Sequence, residues 1–597
     1  MKFVVQGAEN SGGWWQAILA GNDWESYNLE PYMQNGSLTF YAKGERGSET
    51  FMVGLNDTVP GRNPLNVNTS TVFVGPLSTE WQQVTIPPSS FTSPETGRFN
   101  PAQMSTLRLS SANTNPHTFW IADVRFSSPD SEIVYPAVKV NQVGYRPDGL
   151  KEAFVTGFPN QMVLEDGDPF TITSTVNGSV VFEGDLDLVS LLDEIASGEK
   201  VLMADFTSLE QPGSYILTAG AGASDQSVPF EISEDVFDSL LIDATRYMYL
   251  QRSGMPLDPQ YAGQFARPTG HPQDQQAQFR SGAFGPRDVS GGWYDAGDYG
   301  KYVNAGATTI SDLLWAFELF PEQFPDNHLN IPESGNGVPD LIDEMRWELD
   351  WMLKMQDPES GGFYHMVQPT ESTTPDTQEG PRYIEDAVDG LSNVRPSAGT
   401  ASAVAAMAHA SLVFEAIDPD YAATLRTAAE NGYAYLRANP ELVQPVDGAY
   451  ADWDDSDNRF WAATAMYRLT GDESYHNDIR ATYQDVRTTF RSTNDNGYGV
   501  QDMGMVAWLA YIYSDNQDPA VRAFFEEEFG AWSAHMTRRW ENSTWNHTLL
   551  DEDYYWGSNY VALTTPLVMY TAQRGMGQPT TATEQHRSNR YSIQPAH

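Results

Sequence analysis

No cysteine occurs anywhere in the 597 residues, which excludes a disulfide framework and any thiolate metal site. Lysine is nearly as scarce: seven are present, at positions 2, 43, 139, 151, 200, 301 and 354. Positive charge as a whole is thin, with 34 Lys and Arg against 80 Asp and Glu and a formal net charge of −46. Such a field repels phosphate backbones and anionic lipid, so neither nucleic acid nor a membrane is an expected partner. Long apolar runs are missing too; nothing approaches the ~20 consecutive apolar residues of a membrane-spanning helix. The opening MKFVVQGAEN falls short of the ~7–15 apolar residues of a signal h-region. The expectation is a secreted protein whose export signal is not part of this chain. An acid-rich, lysine-poor surface suits salty water, where screening acts over roughly 3–8 Å, and suits an ordinary acidic secreted protein equally well.

With 40% hydrophobic and 12% aromatic residues there is ample material for packed cores, and at roughly 100–200 residues per domain the length calls for several of them. Three textures succeed one another. Residues 1–129 hold short alternating runs such as SLTFYAKG (37–44), TFMVGL (50–55), WQQVTIP (81–87) and FWIADVRF (119–126) between Asn, Gly, Ser and Pro clusters, the pattern of a β-sandwich. SSPDSEIVYP (127–136) reads as a linker. A second β segment, 137–233, has strands near 138–145, 152–158, 169–175, 179–185 and 213–219. From Glu234 the period becomes helical: Val236, Phe237, Leu240, Leu241, Ala244, Tyr247 and Met248 recur at three- and four-residue steps. Further helices are expected near 302–320, 338–356, 398–416, 421–438, 458–469, 473–489, 502–514, 518–537 and 558–573, joined by long loops of the kind that carry function. The period dissolves after 573.

The densest loop is GGWYDAGDYGKYV (291–303). Asp295 and Asp298, separated by small Ala296 and Gly297, can converge on one point from a tight turn. Two such carboxylates can hold a water and take its proton, the task of the base in an inverting glycosidase. The DxxD spacing alone is weak, because it recurs at Asp340/Asp343, Asp452/Asp455 and Asp454/Asp457, and an acidic turn or a calcium-ligand pair explains it as well.

Context sharpens it. DAGDYGKYVNAGATTISDLLWAFELFP (295–321), IPESGNGVPDLIDEMRWELDWMLKMQDP (331–358), GGFYH (361–365), RFWAATAMYRLTGD (459–472) and YYWGSNY (554–560) closely resemble, in order and spacing, glycoside hydrolase family 9, the (α/α)6-barrel cellulases. KVNQVGYRP (139–147) is similar to the start of the immunoglobulin-like module that precedes the catalytic barrel in one branch of that family. The resemblance runs over about 137–573. NGSLTFYAKG (35–44), EWQQVTIPPSSF (80–91) and TFWIADVRF (118–126) resemble jelly-roll carbohydrate-binding modules, with Trp14, Trp15 and Trp24 as candidate sugar platforms; a spacer domain without a ligand is the alternative.

The resemblance implies a general base at Asp298 and a water-holding partner at Asp295. It places His365 where the family has a sugar-contacting residue and Trp556 where it has a stacking platform, a role that suits the apolar face of a glucose ring. A hydrogen-bonded structural histidine and a buried core aromatic are the competing readings. Relatives of this branch often hold zinc through Cys and His near the start of the barrel. Here only His271 remains, so zinc is not expected. The acidic loop DWDDSD (452–457) is the candidate for structural calcium, against a charged solvated turn, and no cofactor is required.

The C-terminus departs furthest. In the family the chain continues past WGSN to a Glu that serves as general acid, whereas only 38 residues follow Asn559. None matches that stretch, and Glu584 in TTATEQHRSN sits among polar residues. The general acid is therefore unknown, and roughly ten helices fall short of six helical hairpins. The expectation is a multidomain chain: a β-jelly-roll, an Ig-like β-sandwich and an (α/α)6 barrel incomplete at its C-terminus. The implied reaction is inverting hydrolysis of β-1,4-glucan by a monomer, impaired if the acid is absent. The alternatives are an exo-acting β-glucosidase or glucosaminidase of the same family, with loop 366–394 closing the cleft, and a non-catalytic polysaccharide-binding protein.

Overall fold

The computed structural model describes the chain except residues 6–14, 21–26, 34, 59–65, 92–98, 112–116, 128–136, 158–161, 194–196, 221–224, 283, 370–380, 387–393, 446–449, 487–498, 500–501, 551–552, 554–557 and 578–597. The described chain forms two compact units, Met1–Ser233 and Glu234–His597.

The first unit is all β. Its N-terminal module has one antiparallel sheet in the order Lys2–Val5, His117–Ser127, Ser37–Gly44, Gln82–Ile86. A second sheet runs Trp15–Ala20, Met104–Ser111, Phe51–Thr58, Asn66–Asn68, with Val72–Val74 also paired to Phe51–Thr58. Alternation along the strands builds the core, since Leu38, Phe40 and Ala42 from one strand meet Phe119 and Ile121 from its neighbour and Val53, Leu55 and Leu109 from the other sheet. The same alternation corrects an expectation. Trp15 shares the core side of its strand with Ala17 and Leu19 and lies 5.8 Å from the Phe119 ring, so it packs the sandwich instead of presenting a sugar platform; Trp14 and Trp24 lie outside the described residues.

On the outer face of the first sheet, Lys43 sits 5.0 Å from the Trp120 ring and 5.3 Å from the Trp81 ring. Tyr41 and Ala122 are buried there and cluster with Trp81. Trp81 in turn lies against Gly198 of the second module: a Cβ at 198 would come within 2.2 Å of the indole, and the glycine takes φ +74. That second module is also two sheets. One runs Val138–Lys139, Glu152–Gly157, Lys200–Asp205, Asp187–Ser190, and the other Val180–Asp185, Pro169–Ser174, Gly213–Thr218, Phe230–Ile232. Tyr145, Phe206 and Phe230 meet edge to face or tilted, at 5.1–5.5 Å, in its core.

The second unit is helical: α1 (Asp238–Gln251), the single turn α2 (Pro259–Ala262), α3 (Val303–Leu319), α4 (Asp340–Lys354), α5 (Ser397–Phe414), α6 (Pro419–Ala438), α7 (Ser456–Thr470), α8 (Glu473–Thr482), α9 (Gly504–Ile512), α10 (Pro519–Asn542) and α11 (Ser558–Gly575). Local chemistry sets the ends. Asp418 and Asp518 cap α6 and α10 by accepting amide hydrogen bonds, and each is followed by a proline at the first helical position. Gly471 closes α7 at φ +65 and Asp472 caps α8 at once. Helix α5 is apolar nearly all round because it is buried all round, packed against α3, α6 and α7. Helix α7 packs in turn on α8 and α9, and α9 on α11. The periodicity expected α8 to run to 489, but it ends at Thr482.

A four-stranded sheet also lies in this unit, unanticipated by the periodicity: Gln278–Phe279, Arg382–Ile384, Met366–Pro369 and Lys301–Tyr302, in that spatial order. Strands of two to four residues are too short to show a two-residue period. The sheet matters because Lys301–Tyr302 follows directly on the acidic turn.

Candidate active site

The loop that carries Asp295 and Asp298 is entered over α4. Glu344 and Glu348, one turn apart on that helix, accept hydrogen bonds from the Trp293 indole (2.8 Å) and the Trp293 amide (2.7 Å). Gly306 of α3 lies over Glu348, where a Cβ would come within 2.3 Å of Oε1. Burial pushes the Glu348 carboxyl up to about 8, against the pull of the Trp293 amide and Lys301. The folded chain therefore keeps a proton that the unfolded chain releases near its ordinary value of about 4.3. This group's contribution to stability is greatest below that pH and is lost as pH rises toward 8. Glu348→Gln should remove the loss, which is worth on the order of 2–4 kcal/mol, while Gln still accepts from Trp293. Melting curves over pH 5–9 decide it: the variant should gain on wild type steadily as pH rises, and parallel curves would show that Glu348 does not titrate there.

Past Trp293 the chain turns sharply. The Asp295 amide donates to the Gly300 carbonyl (2.9 Å) and the Tyr299 amide to Ala296 (2.9 Å), so Asp295 and Asp298 lie on one closed turn. Each carboxylate has its own tyrosine. The Tyr302 hydroxyl donates to Asp298 Oδ2 (3.1 Å) while the Gly300 amide donates to Oδ1 (2.9 Å). The Tyr450 hydroxyl reaches both oxygens of Asp295 (3.0 and 2.9 Å) from 155 residues away. The two phenol rings meet edge to face at 4.9 Å. Burial raises the Asp295 carboxyl above the usual aspartate value; the Tyr450 hydrogen bond opposes this and the charge of Asp298 adds to it. Both phenols are pushed well above their ordinary value, chiefly by burial and then by the adjacent carboxylates, so both remain donors.

A buried ion cluster clamps the turn from behind. Asp274 forms an ion pair with Lys301 Nζ (2.7 Å) and accepts from Arg382 Nε (2.9 Å), with all three side chains at most 1% exposed. Lys301 also donates to the carbonyls of Val289 and Gly291 (2.8 Å each). Arg382, from the short sheet, donates to the Tyr299 carbonyl (2.9 Å). Tyr299 has φ +58, a left-handed conformation that costs a non-glycine residue roughly 1–2 kcal/mol and needs such an anchor. Desolvation pushes Asp274 up, but its two cations outweigh it and hold the carboxyl below the usual range.

His365 is brought to the same place. Its carbonyl accepts from the Val303 amide (3.0 Å) and its ring lies 6.4 Å from that of Tyr302, at 2% exposure. Trp556 and Glu584 lie outside the described residues, as does most of loop 366–394. Tyr302, Tyr450, Asp274 and Arg382 went unnoticed in the sequence; only Tyr302 lay near enough to the DAGD motif for its spacing to have suggested it.

Zinc is not expected from the sequence, and the calcium candidate is the 452–457 loop. His271 uses Nδ1 on the Tyr294 hydroxyl (2.6 Å), and burial together with Arg382 lowers its pKa to about 4. With no thiol in the chain, these residues do not fit zinc. In the 452–457 loop, Asp455 pairs with Arg459 (2.7 Å), Asp457 accepts from the Met503 amide and Asp454 from the Ser456 amide. Among the described residues no three His, Asp or Glu side chains are gathered as metal ligands.

Three stretches of the chain match known families. Residues 1–128 match carbohydrate binding domain 30 and residues 134–224 the cellulase N-terminal Ig-like domain. Endoglucanase D of Acetivibrio thermocellus is 28% identical over 452 residues, covering 73% of this chain and 68% of the relative. A xyloglucan-specific endo-beta-1,4-glucanase of Bacteroides ovatus is 32% identical over 403 residues, covering 64% of each; the chain thus spans about two thirds of these relatives. The crystal structure of a metagenome-derived family 9 endoglucanase superimposes with a TM-score of 0.67 at 31% identity, over 76% of this chain and 82% of that one. The third match, Glycosyl hydrolase family 9, takes in residues 237–592, beyond the point near 573 where the motifs fade. The chain belongs to glycosyl hydrolase family 9.

Proposed function

We propose that the protein hydrolyses β-1,4-linked glucan with inversion, as a secreted monomer whose helical domain follows the (α/α)6 plan. The observation that carries this is the pair of carboxylates on one clamped turn, each oriented by its own tyrosine, with the His365 ring 6.4 Å from that of Tyr302. Asp298 would take the proton of a water that Asp295 helps hold, and that water would attack the anomeric carbon from the face opposite the leaving group. A carboxylic acid roughly 6.5–9.5 Å from the base would protonate the departing oxygen; its identity is unassigned. His365 and Trp556 would line the sugar site, and the scheme needs no cofactor. The binding-module match supports a polysaccharide over a small glycoside.

The test is reducing-sugar release from soluble β-1,4-glucan and aryl-alcohol release from an activated aryl β-cellobioside, beside Asp298→Ala. Loss of the base should lower turnover by about 10²–10⁴-fold. Release on the aryl substrate alone would mean that leaving-group protonation is missing. Single sugars among the products would favour exo action. Saturable glucan binding with no Asp298-dependent release from either substrate would leave a binding protein.

A further inference from the structure

Asp298 is held by two donors, one on each oxygen, and they come from neighbouring residues of one turn. The Gly300 amide takes Oδ1 and the Tyr302 hydroxyl takes Oδ2. The phenol can reach there because residue 300 has no side chain: a Cβ at Gly300 would fall 2.6–2.7 Å from Cε2, Cζ and Oη of Tyr302. Gly300 has no positive φ, so backbone conformation does not call for glycine there; the space does. The ring is fixed on its other sides too. Lys301 and Tyr302 pair in register with Val367 and Met366, the Tyr450 ring packs at 4.9 Å, the His365 ring lies at 6.4 Å, and only 5% of the residue is exposed.

We propose that Tyr302 is a positioning residue for the base: seated over the bare backbone of Gly300, its hydroxyl holds the Asp298 carboxylate in one rotamer, aimed at the water. The proposal rests on Asp298 being the base. The other groups facing this pair are Asp295, Tyr450 and His365, with Arg382 acting on the turn through the Tyr299 carbonyl and His271 beside the Tyr299 ring.

Two variants test it. Tyr302→Phe removes the donor and keeps the ring; Gly300→Ala keeps the donor and pushes the ring away. Both should lower kcat on an aryl β-cellobioside by about 10–100-fold with KM within about twofold. A ring that only packs would lower the melting temperature and leave kcat unchanged at temperatures where the variant is folded, and an unchanged kcat in Tyr302→Phe overturns the proposal. If the wild type shows no Asp298-dependent turnover, the functional reading has failed, and infrared spectra of the carboxylates at neutral pH still decide the geometry. The carboxylate band absent from Asp298→Asn should then shift in frequency in Tyr302→Phe relative to wild type, and an identical band overturns it.

Discussion

Replacing Asp274 with alanine should destabilise the helical domain by about 3–5 kcal/mol, the cost of leaving buried charge without its partner. Two cations depend on that carboxylate, and neither has water to fall back on, since Lys301 and Arg382 are at most 1% exposed. Lys301, already pushed down to about 8 by burial, would shed its proton, leaving a neutral amine on the carbonyls of Val289 and Gly291. The melting temperature should fall by about 5–15 °C, at the low end of the shift per kcal/mol because the domain is large. Activity should fall further than stability alone explains, since Arg382 would lose the brace that aims it at the Tyr299 carbonyl and misplacement on the order of 1 Å can cost about 10²-fold. The pH dependence carries a sign. Asp274 titrates below its ordinary value, so its contribution is present above about pH 4 and fades as pH drops below that; the variant should lack that acid-side loss. An Asp274→Ala protein that melts within about 2 °C of wild type would mean that the cluster is not load-sharing in the folded chain.

Gly292→Ala should be nearly as damaging from a single methyl group. Gly292 has φ +77, and a Cβ there would fall 2.6 Å from Cγ and 2.8 Å from Cδ2 of Trp351, a wholly buried core residue. Neither side can yield cheaply. The Gly292 carbonyl is tied to the Ser253 amide (2.8 Å) and the Trp347 indole (3.2 Å). Overpacking of about 1–3 kcal/mol and a left-handed alanine at about 1–2 kcal/mol add in the same direction. Because Trp293 comes next, the displacement should travel into the acidic turn. The measurements are the melting temperature and kcat; a loss of stability under about 1 kcal/mol would show that Trp351 gives way.

Much of this fold could be read from residue pattern because its causes are local. The Asp-Pro starts of α6 and α10 and the Thr-Gly-Asp junction between α7 and α8 state their helix boundaries outright. Asp295 and Asp298 were legible for the same reason, three residues apart in one turn. Tyr450, 155 residues from Asp295, and Arg382, 108 from Asp274, were not, since nothing in a lone tyrosine or arginine reports which distant carboxylate it meets. Trp15 shows the opposite failure: its position was known, but which side of the strand it faced depended on a register that only pairing with Met104–Ser111 fixes.

The seating of Trp81 on Gly198 bears on how far the two β modules are interchangeable parts. A linker and two separate family matches suggest cassettes that could be cut and recombined at residue 130. Yet a bulky aromatic of one module is accommodated only where the other has given up a side chain. Grafting the first module onto a partner with any other residue at that point would present the indole with an obstruction, and removing it would leave a glycine-lined notch in the surface. The natural unit of exchange is therefore the pair, 1–233, and engineered fusions that respect only the sequence boundary between the modules should inherit a mismatched seam.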